Sequence, residues 1–168
     1  MRGANRHRLS SCLLLLCVGL ADVASTRAAS WIDPPFLPDV VVQDQDGRQL
    51  NFYADLLRGR TVLINFIYTQ CRSVCPTQTA ILRHAKQRWA DAMAEQRAVL
   101  LISITVDPKH DDPRQLRDFA ERFGISPGME QGWVFVTGET RALTMLLSSL
   151  NSLTPQPADH SNVLWVGN

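Results

Sequence analysis

The chain has 168 residues, 17 basic and 16 acidic side chains, a formal charge of +1 and a hydrophobic fraction of 45%. That size fits one domain with its own core, and the near-neutral charge lacks the electrostatic footprint of a nucleic-acid binder. Aromatic residues at 7% and charged residues at 20% exclude disordered and collagen-like chains.

Residues 1–29 differ from the rest. Arg2, Arg6 and Arg8 precede an uncharged, leucine-rich run over residues 13–20, and Ala21, Ala24, Ser25, Ala28 and Ala29 follow. A basic start, a short apolar stretch and a small-residue tail make this segment an export signal or an N-terminal membrane anchor. The run is shorter than the ~20 residues of a bilayer span, which favours the signal. Export leaves residues 30–168 as a slightly acidic domain whose cysteines are Cys71 and Cys75, because Cys12 and Cys17 lie in the leader. Outside the cytosol such a pair oxidises unless a reductant or a metal holds it open.

Residues 31–38, with Pro34, Pro35 and Pro38, read as an extended approach. Residues 40–43 and 50–53 flank Asp46-Gly47, a hairpin signal. Residues 61–68 are nearly all apolar, as a strand buried on both faces requires. Pro76 suits the first position of a helix, with Ile81, Leu82, Ala85, Trp89 and Met93 as its apolar stripe. Residues 99–106 form a second buried strand. Asp112 and Pro113 cap and open a helix through Leu116, Phe119, Ala120 and Phe123, which Gly124 stops. Trp133–Thr137 is a third strand, Leu143, Leu146, Leu147 and Leu150 mark a third helix, and residues 163–166 form a last apolar strand. The alternation predicts an α/β fold, a central mixed sheet with helices on both faces.

Cys71-Arg72-Ser73-Val74-Cys75 falls at the carboxyl end of a predicted central strand, where α/β sheets place their sites. Four-residue spacing brings both sulfurs to one side of a turn, and the helix N-terminus favours thiolate over thiol. Two soft thiolates suit Cu(I), Zn(II) or reversible disulfide chemistry, so all three stay open on spacing alone.

Residues 66–76, Phe-Ile-Tyr-Thr-Gln-Cys-Arg-Ser-Val-Cys-Pro, resemble the site of the SCO/SenC family of copper chaperones. Those are thioredoxin-like proteins that help assemble the copper centre of respiratory oxidases. A second family landmark, Ser-x-Asp-Pro leading to Asp-Thr-Pro, is matched by residues 103–108 and by Asp111-Asp112-Pro113, with one extra residue before Asp107 and Asp112 in place of Thr. The third, Asp-His-Ser before a strand, is Asp159-His160-Ser161. The resemblance implies a thioredoxin-like domain over residues 30–168 in which Cys71, Cys75 and His160 bind one copper ion, as Cu(I) or Cu(II). Asp159 is then either a neighbour that tunes the site or a plain loop residue. Family members continue past the His-bearing strand with a hairpin partner and a closing helix. This sequence stops at Gly167-Asn168, so the resemblance implies a truncated end or a lost element.

His84, near Lys86 and Arg88, is expected in solvent, and His110 is expected to be no ligand. Asp107, Asp111 and Asp112 lack the EF-hand pattern and read as turn and cap residues. The implied function is an exported metallochaperone, periplasmic or anchored facing the periplasm. Its partners would be the copper-receiving subunit of a respiratory oxidase and a thioredoxin-like reductant. The alternative is a thiol–disulfide oxidoreductase in which Cys71 attacks and Cys75 resolves, although such enzymes typically use the shorter Cys-x-x-Cys. His160 separates the two, since metal binding needs it and disulfide exchange does not. A peroxidase is disfavoured because Thr69-Gln70-Cys71 is one residue short of a Thr-x-x-Cys site, while a copper sensor would share every feature of a chaperone. No feature calls for an oligomer, and a monomer is expected.

Overall fold

Val41–Asp44 (β1) and Gln49–Asn51 (β2) pair antiparallel around a turn in which Gly47 takes φ +75°, a left-handed conformation that suits glycine. The buried Asp44 carboxylate fixes that turn by accepting from the Asp46 and Arg48 N–H groups and the Arg48 side chain. In this computed structural model, residues 37–92, 99–160 and 162–167 are described. The predicted export segment over residues 1–29, the proline-rich approach through residue 36 and Met93 lie outside them.

The second strand is shorter than residues 50–53 predict. Phe52–Leu57 instead forms one π-helical segment, because nearby carboxylates take the amides a ladder would use. Asp39 accepts from the Tyr53 and Ala54 N–H groups, and Asp55 from that of Asn51.

Val62–Ile67 (β3), Leu100–Thr105 (β4) and Trp133–Thr137 (β5) are the three predicted buried strands, and every residue in them is buried. They run parallel, joined by Val74–Ala92 (α1) and Pro113–Arg122 (α2). Thr140–Ser149 (α3) follows, and Trp165–Gly167 (β6) closes the sheet in the order β2-β1-β5-β4-β3-β6. β1 and β6 pair antiparallel to β5 and β3, so the sheet is mixed as expected.

Alternation along the strands sorts the core into two layers. Ile64, Phe66, Ile102, Ile104, Val134 and Val136 pack under α3 and the π-helical segment. Leu63, Ile67, Leu101, Trp133 and Phe135 pack with Leu82 of α1 and Leu116 and Phe119 of α2. Each fully buried side chain of this kind contributes about 1.5–3 kcal/mol. Asp112 caps α2 through a reciprocal pair with Gln115, and Gly124 follows its end at φ +65°.

Three expectations need correction. α1 begins at Val74, so Pro76 is its third residue, still within the first turn where an N–H has no helical acceptor. Ile81 is 62% exposed, since Leu82 and Trp89 define the inner stripe and Ile81 falls outside their arc. The last strand starts at Trp165 and not at Val163, and Val163 and Leu164 before it, like Val166 within it, are exposed. No helix among the described residues is long and apolar enough to cross a membrane.

Candidate metal centre

The candidate site forms where β3 ends and α1 begins. The chain turns after Ile67, with the Cys71 N–H donating to the Tyr68 carbonyl at 3.1 Å. Asp111 grips this turn: its carboxylate accepts from the Thr69 N–H at 3.0 Å, from Thr69 Oγ1 at 2.6 Å and from Thr105 Oγ1. Burial pushes the Asp111 carboxyl above the usual range, against the pull of the Thr105 and Thr69 hydrogen bonds. One side chain thereby ties together the ends of β3 and β4 and the start of α2.

Cys71 lies just ahead of α1 and Cys75 in its first turn. The Cys75 N–H points at Cys71 Sγ, 3.3 Å away, as expected of a helix N-terminus facing a thiolate. His160 arrives from the far end of the chain. β6 runs antiparallel to β3 with Trp165 opposite Ile64, so the segment before β6 passes the carboxyl end of β3. A 3-10 turn over Pro157–Asp159 delivers His160, whose N–H donates to the Pro157 carbonyl at 3.2 Å. Its Nε2 stands 3.3 Å from Cys75 Sγ, and the three donor atoms all lie within 4.8 Å of one another.

Tyr68 steadies the imidazole, and a polar chain ties down the segment that follows it. The Tyr68 ring meets the His160 ring edge-on, with centroids 5.6 Å apart at 83°. Beneath the loop runs a polar chain from the core. Trp133 Nε1 donates to Ser103 Oγ at 2.9 Å, and that hydroxyl donates to Asn65 Oδ1 at 2.7 Å. Asn65 Nδ2 donates to Gln78 Oε1 at 3.4 Å, and Gln78 Nε2 donates to the Asn162 carbonyl at 3.2 Å.

The two thiols are not equivalent. Cys75 is fully buried, and burial, reinforced by the Cys71 sulfur beside it, pushes its thiol up to about 12. Cys71 is 7% exposed; burial pushes it up as well, but hydrogen bonds from Cys75, the Ser73 backbone and His160 outweigh burial and bring it to about 6. Tyr68 is raised by its burial and by hydrogen bonding to Cys71. A readily ionised sulfur at the rim is thus paired with a protonated one behind it.

The predicted trio of Cys71, Cys75 and His160 is therefore brought together, and no fourth His, Cys, Asp or Glu joins it among the described residues. Asp159 is exposed, and its N–H closes the 3-10 turn on the Gln156 carbonyl. His84 is exposed on α1, and His110 is an exposed partner of the Asp107 carboxylate at 2.9 Å. Asp111 is more than a turn residue. Tyr68 and Gln78 also support the site, although the sequence assigned them no role; only Tyr68 carried a signal, by lying inside the Cys motif.

The SCO1/SenC family model matches residues 33–161, which include all three donors. The chain belongs to the SCO1/SenC family. A SCO1 protein homolog of Bacillus subtilis is 31% identical over 124 residues, covering 73% of this chain and 60% of the relative, so this chain spans only part of its length. A solved structure of BsSco, described as having a disulfide switch and as a member of the Sco family of cytochrome c oxidase assembly proteins, matches with a TM-score of 0.59 at 28% identity. It covers 75% of this chain and 72% of that one. ScoI of Arabidopsis thaliana, solved with copper bound, shares the fold with a TM-score of 0.61 at 19% identity, over 76% and 78% of the two chains. The thioredoxin-like fold expected of the SCO/SenC resemblance is the fold of these relatives.

Proposed function

We propose that this SCO1/SenC chain binds one copper ion through Cys71, Cys75 and His160 and hands it to the copper-receiving subunit of a respiratory oxidase. The convergence of two sulfurs and an imidazole nitrogen within 4.8 Å carries the proposal. Metal–donor bonds of about 2.0–2.3 Å place trigonal donors about 4 Å apart, so the spacing suits a single ion. Soft thiolates select Cu(I) over harder cations, and the three donors found among the described residues fall short of the tetrahedral set a structural zinc takes. The imidazole adds a ligand that Cu(II) also accepts.

The unequal burial of the sulfurs supports delivery as well as storage. Cys71 stands at the rim, where an incoming ligand displaces it first, while Cys75 and His160 retain the ion until exchange is complete. The leader over residues 1–29 supports an exported protein, periplasmic or anchored facing the periplasm.

Copper titration of the reduced protein against a competing chelator tests this. One Cu(I) per chain is expected, with affinity abolished by Cys71→Ser and weakened by His160→Ala. Binding indifferent to His160 would overturn the three-donor site. A second activity, thiol–disulfide exchange on a partner's cysteines, is favoured by one observation: the low-pKa Cys71, which lines an open groove, with the fully buried Cys75 behind it is the order that attack and resolution require. Reduction of the oxidase subunit's cysteines before loading would join the two activities, with a thioredoxin-like reductant resetting the pair.

A further inference from the structure

A groove of about 730 Å³ opens beside Cys71, between the Cys loop and α2, a volume typical of small-ligand sites. Gln70 and Arg72 line it from the loop, and Gln115, Asp118 and Arg122 line it from α2, where their spacing puts them on one helix face. Cys75, fully buried, does not line it. Arg122 is held in position by donating to the Thr69 carbonyl at 3.3 Å and by stacking over the Phe119 ring at 5.6 Å. Among the described residues neither Arg72 nor Arg122 has a carboxylate partner in a salt bridge, although Asp118 shares the groove.

The groove thus offers two guanidiniums free for carboxylates, one carboxylate for an ammonium, amide groups from two glutamines, and a single accessible sulfur. A cysteine peptide with two carboxylates and one ammonium has the complementary charges, and its sulfur is the atom that would meet Cys71. We propose that this groove is a subsite for a small anionic cysteine-peptide disulfide, which Arg72 and Arg122 orient for exchange with Cys71.

The exchange balances. The Cys71 thiolate attacks one sulfur of the bound disulfide; the ligand's S–S bond breaks, one peptide thiolate leaves, and the other half is joined to Cys71. Cys75 gives its proton to solvent and attacks Cys71 Sγ, expelling the second peptide thiolate. The chain's two thiols become a disulfide and the ligand disulfide becomes two thiols, with no other oxidant. The reverse sequence lets the peptide thiol reduce the chain. The proposal rests on the thiol pair and the groove, and it does not depend on copper.

The test uses the reduced, copper-free chain at fixed pH and compares its oxidation rates by oxidised glutathione (anionic), 2-hydroxyethyl disulfide (neutral) and cystamine (cationic). Arg72→Ala and Arg122→Ala are each expected to lower the anionic-to-neutral rate ratio about threefold and the double variant about tenfold, as exposed charge contacts allow. Both should raise the cationic-to-neutral ratio. Arg114→Ala, exposed on α2 but outside the groove, should leave both ratios unchanged. Any general disturbance of the loop from losing the Arg122–Thr69 contact moves all three rates together and cancels in the ratio. An anionic-to-neutral ratio unchanged in the double variant overturns the proposal. The copper titration above reports separately: loss of charge selectivity in the variants alongside normal copper binding sustains both, and selectivity without copper binding sinks only the metal site.

Discussion

Replacing Asp111 by Ala removes the one acceptor that serves the Thr69 N–H, Thr69 Oγ1 and Thr105 Oγ1. Thr105 is fully buried, so its hydroxyl cannot turn to water, whereas Thr69 is half-buried and recovers part of its loss. An orphaned buried donor costs about 1–3 kcal/mol, and hydrogen bonds to a charged acceptor lie at the upper end. Three such bonds, less the burial penalty the carboxylate no longer bears, give an expected loss of about 3 kcal/mol. Asp111→Asn keeps an acceptor for Thr69 and lets the Thr105 hydroxyl accept instead of donate, so about 1 kcal/mol is expected. Equilibrium unfolding in urea, with m unchanged, measures both. The sign with pH follows from the raised Asp111 pKa. As pH rises the unfolded chain ionises first, so stability present below the unfolded carboxyl pKa is lost through the raised folded value, and the wild type loses ground to Asp111→Asn across that window. A cost below 1 kcal/mol for Asp111→Ala, or equal costs for the two variants, would refute the clamp.

Alkylation of reduced, metal-free protein should follow a single titration with its midpoint near pH 6 at Cys71, while Cys75 stays protected. A midpoint near the ordinary ~8.5 would contradict the assigned hydrogen bonds. Because that pKa is lowered on folding, Cys71 adds stability that is fully present above the unfolded thiol pKa and is lost as pH falls through about 6, which urea midpoints at several pH values will show. Gln78→Ala breaks the link between Asn65 and the Asn162 carbonyl; about 1 kcal/mol and faster amide exchange over residues 165–167, with β4 unaffected, are expected. Gly124→Ala should cost about 1–2 kcal/mol in thermal unfolding, since φ is +65° and the new Cβ would meet Arg83 Nη1 at 3.0 Å.

The inner strands were plain in the sequence because both faces of β3, β4 and β5 are buried, which leaves unbroken apolar runs. The α2 cap was equally plain in Asp112 and Pro113, which are adjacent, while the reciprocal bond from Gln115 is seen only in the structure. Phe52 and Tyr53 were mistaken for strand because Asp39, whose carboxylate diverts the Tyr53 amide, acts from fourteen residues away. In the site the cysteines announced themselves by spacing, and His160 through its resemblance to a family motif. The Asp111 clamp spans 42 residues to Thr69, and the Gln78 link spans 84 to Asn162. Such contacts exist only once the sheet is assembled, and no local pattern encodes them.

Cys75 and His160 touch across 85 residues of sequence, yet the strand that follows His160 is laced to β3 by three residue pairs, from Val62–Gly167 to Ile64–Trp165. The Gln78–Asn162 hydrogen bond and the packing of Trp165 against the core add to those pairs. An ion bound by both Cys75 and His160, as proposed, would add a further clasp to this ring, since binding that favours the closed form stabilises it by mass action. On the proposed copper role, cargo and edge strand would form a single latch, with loading fastening the margin of the sheet and release loosening it.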